Sequence, residues 1–323
     1  MAKRLSLASG SSTTRWVWQW ILCSTIPFIP YLLPLLQNTL GDTPLAYLTW
    51  IPVMAFFWAG WNMLRIPIVQ RGEPVDGWIG LALLAATGVI IVTFSNRDLA
   101  LFLWPVWSAF MALAMFGRSA VPLVRMPMIY LLLVCPPIYL KIVETVSPPL
   151  ERFTMGVLEA YRHSVDWLQL GVTADNGIGV RHGAGWVLVR MTTACSGADS
   201  ILAIIILLPV MLVVFQSSLT RKAVIVVAGS VLAVLANTAR IVVILTALHY
   251  FGIPFAMHVL HPILGAVLFF TTIALLLFYS SRRFMINRPS ANIALQGPAG
   301  WKWLVTVAAA AAFGVMNAMI FLR

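Results

Sequence analysis

The chain has 323 residues, of which 61% are hydrophobic and 10% charged, with mean hydropathy +0.93 and formal net charge +11. So few charges do not solvate the surface of a water-soluble domain, so lipid is the solvent for most of the chain. The basic excess does not point to nucleic acid, because Lys and Arg are scattered in short loops between apolar runs, as membrane orientation demands.

A membrane span needs roughly 20 apolar residues. In chain order, nine runs qualify: about 16–36, 45–63, 77–94, 98–117, 120–140, 198–217, 223–249, 261–281 and 303–321. Arg15 precedes a first run without a small-residue cleavage site, which predicts an uncleaved signal anchor. The fifth run carries Pro136-Pro137 and is expected to kink. Lys3, Arg4, Arg15, Arg65, Arg71, Arg118, Arg221, Lys222, Arg282, Arg283 and Arg288 all fall on one side if the chain threads alternately. That side is the cytoplasm, and the N-terminus with it. The predicted fold class is all-α: a polytopic helical bundle of eight or nine transmembrane helices.

Residues 141–194 form the one long extracytoplasmic segment. Glu144, Glu151, Arg152, Glu159, Arg162, His163 and Asp166 alternate with Leu150, Phe153, Met155, Val157, Leu158 and Tyr161, which predicts an amphipathic helix on the membrane. Residues 171–180 read as turns. Gly185–Met191 alternates like a strand and predicts a small β-hairpin leading into Cys195. Gln296–Gly300 reads as a linker and the last run as an appended helix. The organisation expected is therefore 1–119, four spans; 120–285, the core; and 286–323, linker and extra transmembrane helix.

Three cysteines occur, without a CxxC pair, so neither zinc nor a redox couple is expected, and no cofactor or metal. Cys23 and Cys135 lie in apolar runs and read as small buried residues. Cys195 differs. It stands in Met191-Thr-Thr-Ala-Cys-Ser196-Gly197, among small and polar residues at the start of the sixth run. A helix N-terminus favours thiolate there.

Arg240 lies inside the seventh run. It is 18 residues from Lys222, roughly 27 Å at 1.5 Å per residue, and so reaches the outer leaflet. Asn237, one turn earlier, is placed to orient the guanidinium. His261 opens the eighth run before Pro262, the usual arrangement of a helix N-cap. Cys195, Arg240 and His261 therefore share one membrane depth. A thiolate attacks a carbonyl, a histidine moves the proton, and an arginine stabilises the oxyanion. Each also has a plainer reading: a structural thiol, a snorkelling arginine, an interfacial histidine. From the residues alone His258 competes with His261, and His249 reads as interfacial. A transporter or polysaccharide-export component is the rival class, although no internal symmetry supports it.

Ala194-Cys195-Ser196-Gly197, Asn237-Thr-Ala-Arg240-Ile241 and His261-Pro-Ile-Leu-Gly265 together resemble the exosortase/archaeosortase family of membrane cysteine transpeptidases, over roughly residues 120–285. The resemblance implies Cys195 as nucleophile, Arg240 at the oxyanion and His261 as acid/base, with the histidine pointing to the bacterial exosortase branch. It leaves Asn237, Ser196 and His258 as supporting residues. It also implies the partners: secreted proteins ending in a short motif such as Pro-Glu-Pro, one membrane helix and a basic tail. Membrane lipid surrounds the chain, and an exopolysaccharide or lipid is the candidate acceptor. The sequence departs from the family at Thr193, where Glu is common, and at Ala198-Asp199, where Leu and Arg are frequent.

Overall fold

The structure is a computed structural model. It describes residues 10–38, 48–66, 68–69, 74–172, 177–190, 201–202, 204, 213, 215–283, 285–286, 295–296 and 300–321. The described chain is mainly helical and divides into two compact units, 1–139 with 288–323, and 140–287.

The first unit holds α1 (Gly10–Thr25), α2 (Ile29–Asn38), α3 (Trp50–Leu64), α4 (Pro74–Phe94), α5 (Arg97–Phe116) and α6 (Val121–Leu131). Its core is aromatic: Trp20, Phe28, Trp104 and Trp107 are buried, and Phe28 stacks on Trp104 with centroids 5.3 Å apart. The indole N–H groups of these three tryptophans each find a carbonyl, Trp20 on Ser108, Trp104 on Ser24 and Trp107 on Cys23. α4 and α5 are joined by Ser95-Asn96, and Asn96 caps α5 by accepting from the Leu99 amide at 3.0 Å. The pair packs very closely at Gly80, where a Cβ would lie 2.5 Å from the Ala114 nitrogen. Cys23 and Cys135 are buried free cysteines.

The last helix completes this unit, contrary to the expected appendage. Phe313 stacks on Trp107 at 4.4 Å. Buried Asn317 accepts from the Tyr31 hydroxyl and donates to the Pro27 carbonyl, each at 3.0 Å. An amide buried among helices must bond to neighbours, and these neighbours belong to the N-terminal helices.

The second unit begins within α7 (Pro136–Arg162). The expected kink is a full break. Cys135 is extended (φ −72°, ψ 114°), as a residue before proline prefers. Along α7 the buried positions Val143, Ser147, Thr154 and Leu158 recur at helical spacing while charged residues face out. A three-stranded antiparallel sheet follows, in the order β1 (Leu168–Leu170), β2 (Gly177–His182), β3 (Gly185–Arg190). The β2–β3 hairpin turns on Gly183 (φ 58°) and Ala184, with glycine where a two-residue turn needs positive φ. β2 corrects the turn reading of 171–180. Its glycines serve close packing: a Cβ on Gly179 would meet Val172 at 3.2 Å and Trp186 at 3.4 Å.

Next come α8 (Leu219–Ile253), a π-helical turn (Pro254–Leu260) and α9 (His261–Arg283). Ser218 caps α8, its side chain accepting from the Arg221 amide. Just before it, Phe215–Gln216 is extended and pairs antiparallel with Met285–Ile286, so the sixth predicted span ends sooner than its hydropathy suggests. The rest of that span falls mostly outside the described residues, as do Cys195 and Ser196. α8 stops at Gly252 (φ 80°, ψ 177°), a conformation that favours glycine. α8 and α9 then run antiparallel, with Ala233 facing the level of Thr272 and Arg240 that of Gly265.

Among the described residues, four stretches are long and apolar enough to cross a membrane: Thr13–Pro34, Asp76–Phe94, Arg97–Phe116 and Leu219–Arg282, with Arg118–Arg162 a fifth if its broken pair is one span. The last of the four covers 64 residues, far more than a bilayer needs, and contains the folded-back α8 and α9. Of the nine expected, α3 is 15 residues long, shorter than a full span, and the last helix runs over Gly300–Phe321 with its apolar stretch at Leu304–Met319.

Candidate functional site

Buried α8 residues recur every four positions: Ile225, Gly229, Ala233, Asn237, Ile241 and Leu245. Asn237 is the polar member of this stripe, and Arg240 lies three residues on, half-buried. The arginine turns towards α9. Its Nη2 lies 2.9 Å from His261 Nε2 and donates to the His261 carbonyl at 3.2 Å, while Nη1 donates to Asn237 Oδ1 at 3.4 Å. Guanidinium has only donors, so His261 Nε2 is the acceptor and the neutral ring carries its proton on Nδ1. One planar fork thus joins two helices through both a side chain and a backbone oxygen.

Gly265 makes room for this fork. A Cβ there would stand 3.0 Å from Arg240 Cζ and 3.0 Å from Nη2. In the sequence the glycine served only to mark the histidine four residues before it. Its steric role depends on α8 lying against α9. Beside the fork, Ile204, Ala233, Ala236, Asn237, Arg240, Gly265, Leu268 and Thr272 enclose about 20 Å³, enough for one water-sized group and no more.

His261 is not the N-cap expected from Pro262. Its backbone is helical (φ −56°, ψ −52°) and its amide donates to the Ala256 carbonyl, so the winding is already under way. Pro254 occupies the first turn instead. The wide π winding relieves the clash that the ring of Pro262 would make with the carbonyl four residues earlier, that of His258. His258 itself is exposed on that turn.

Of the predicted site residues, Asn237, Arg240 and His261 are brought together and His258 is exposed. Cys195 and Ser196 lie outside the described residues, β3 ending five positions before the cysteine. Among the described residues no group of three or more His, Cys, Asp or Glu is arranged to hold a metal ion.

The sheet packs on the C-terminal half of α8. Leu158, Trp167, Leu168, Ile178 and Val180 form one buried cluster with Ile241, Leu245, Leu248 and Ala256. Tyr161 and Thr246 share a hydroxyl hydrogen bond at 3.1 Å. Arg181 Nη2 donates to Asp166 Oδ2 at 2.8 Å, and this bond holds the Asp166 carboxyl below the usual carboxylate range.

These features define a multi-pass helical membrane protein in which Arg240 and His261 pair across two apolar helices. The sequence model of the transmembrane exosortase family matches residues 41–279, and the chain belongs to that family. The match reaches well upstream of residue 120, where the resemblance read from the sequence began. No curated protein and no solved structure matches the chain.

Proposed function

We propose that this exosortase is a cysteine peptidase/transpeptidase of the bacterial inner membrane, its N-terminus cytoplasmic and its site facing the extracytoplasmic side. Its substrates are secreted proteins whose C-terminal signal comprises a short motif such as Pro-Glu-Pro, a membrane helix and a basic tail. The observation that carries the reading is the Arg240–His261 fork, built by Gly265 and Asn237 inside an otherwise apolar helix pair.

The Cys195 sulfur attacks the scissile carbonyl carbon, the C–N bond breaks, and a thioester links Cys195 to the secreted protein. The thiol proton passes through His261 to the leaving amine, which departs with the tail. A second nucleophile then displaces the sulfur: water in hydrolysis, or an acceptor on exopolysaccharide or lipid in transfer. Arg240 faces the developing oxyanion. Arg240 Nη2 now donates to His261 Nε2, so that nitrogen takes the thiol proton only once the guanidinium moves onto the substrate oxygen. Substrate entry and release of the base are therefore one event.

Co-expression of a tail-bearing reporter with variants tests this. Cys195→Ala, Arg240→Ala and His261→Ala abolish cleavage, while His258→Ala acts mildly. Cleavage by Cys195→Ala removes the nucleophile assignment, and full activity in His261→Ala moves the base to His258.

A further inference from the structure

Two histidines far from each other in sequence brace the second unit. His182 ends β2, and His249 lies near the end of α8. His182 Nδ1 is 2.9 Å from the His249 carbonyl oxygen, and His249 Nδ1 bonds the Arg181 carbonyl in return. Carbonyls only accept, so both rings carry hydrogen on Nδ1, and the brace survives protonation at Nε2. The His249 ring stacks on Trp167 with centroids 4.7 Å apart and planes 10° apart. The His182 ring lies against Gly252, where a Cβ would be 3.0 Å from its Nε2.

Gly252 is where α8 ends, and the chain from there to Leu260 carries the backbone from the helix of Arg240 to that of His261. Ala256, in the middle of that turn, is buried in the same cluster as the sheet residues Leu168 and Val180. The sheet therefore grips both the helix end and the turn, and the two histidines are the polar part of that grip.

We infer that His182 and His249 are positioning residues, fixing the bend between α8 and α9 and so the Arg240–His261 geometry. The inference rests on the reading of that pair as the reacting machinery. Neither ring is needed at the substrate.

The test uses the full chain in membranes with a tail-bearing reporter. Asparagine puts an amide N–H where Nδ1 stands, and glutamine puts one where Nε2 stands. His182→Ala and His182→Gln lower kcat by about 10- to 100-fold with KM little changed, whereas His182→Asn restores most of it. In parallel, carbethoxylation of His261 by diethyl pyrocarbonate is followed by mass spectrometry. It speeds up in the Ala and Gln variants, as the Arg240 contact loosens, and keeps its wild-type rate in His182→Asn. Equal kcat and equal labelling in all three variants, or Asn no better than Gln, overturns the inference. So does a loss that merely follows the amount of folded protein. If instead Cys195→Ala still cleaves while His261 labelling follows the brace, the proposed chemistry falls and the positioning role stands.

Discussion

Arg240 and His261 are separated by 21 positions in sequence, yet Nη2 of one stands 2.9 Å from Nε2 of the other. The same guanidinium also holds the His261 carbonyl and the Asn237 side chain. Lysine has one compact charge and cannot reproduce this planar fork. Arg240→Lys is therefore expected to cost on the order of 10²–10³ in cleavage rate, close to Arg240→Ala, in a reporter assay at equal membrane abundance. Near-normal activity in the lysine variant would mean that charge alone is what the site needs.

The Gly265 gap gives a steric prediction. Gly265→Ala adds a Cβ 3.0 Å from Arg240 Cζ, displacing the guanidinium, and lowers cleavage by about 10²-fold. Gly156→Ala is the control: nothing lies within 4 Å of its Cβ, so activity is unchanged and the helix gains roughly 0.5–1 kcal/mol. Thermal stability and cleavage measured on both variants separate the two effects.

A third prediction concerns pH. The folded-state pKa of Asp166 is depressed by the hydrogen bond from Arg181. A depressed carboxyl stabilises the fold above its unfolded pKa, about 4, and that contribution is lost as pH falls through the folded value. Both partners are well exposed, so the effect is local and small. Amide exchange in β1 and β2 is expected to lose some protection below about pH 4, and Asp166→Asn to remove that pH dependence. Identical pH profiles in the two proteins would detach the ion pair from the sheet.

The first unit has its own test. Asn317→Ala removes one hydrogen bond to Tyr31 and one to the Pro27 carbonyl, at a cost of roughly 1 kcal/mol in a helix bundle. A lower melting temperature in detergent is the expected result, with Asn317→Gln intermediate. No change would return the last helix to the status of a mere appendage.

The relative level of Arg240 and His261 was readable from the sequence, because a helix rises a fixed distance per residue from the end of its apolar run. That argument put Arg240 and His261 at one level. Lateral proximity was not readable, since it depends on which face of α8 meets which face of α9. For the same reason Gly265 passed as a marker rather than a gap. The strand at Gly177–His182 was hidden by its glycines, which suggest turns until Trp186 and Val172 are seen packing over Gly179. The partner of His249, the Arg181 carbonyl, is 68 residues away and gives no local signal. The N-cap expected at His261 failed because Pro254 had already started the winding, a competition between two prolines that pattern alone does not settle.

The break at Gly252 has a consequence for how this stretch tolerates change. Arg240 and His261 meet because the 20 intervening residues finish α8, turn, and re-enter a helix with the right phase. One residue inserted into or deleted from the wound portions rotates everything beyond it by about 100° and shifts it by 1.5 Å. Residues 241–260 are thus free to drift in composition wherever a side chain faces lipid, but their number is fixed. In this segment the meeting of Arg240 and His261 is encoded by chain length as firmly as by the identity of any side chain.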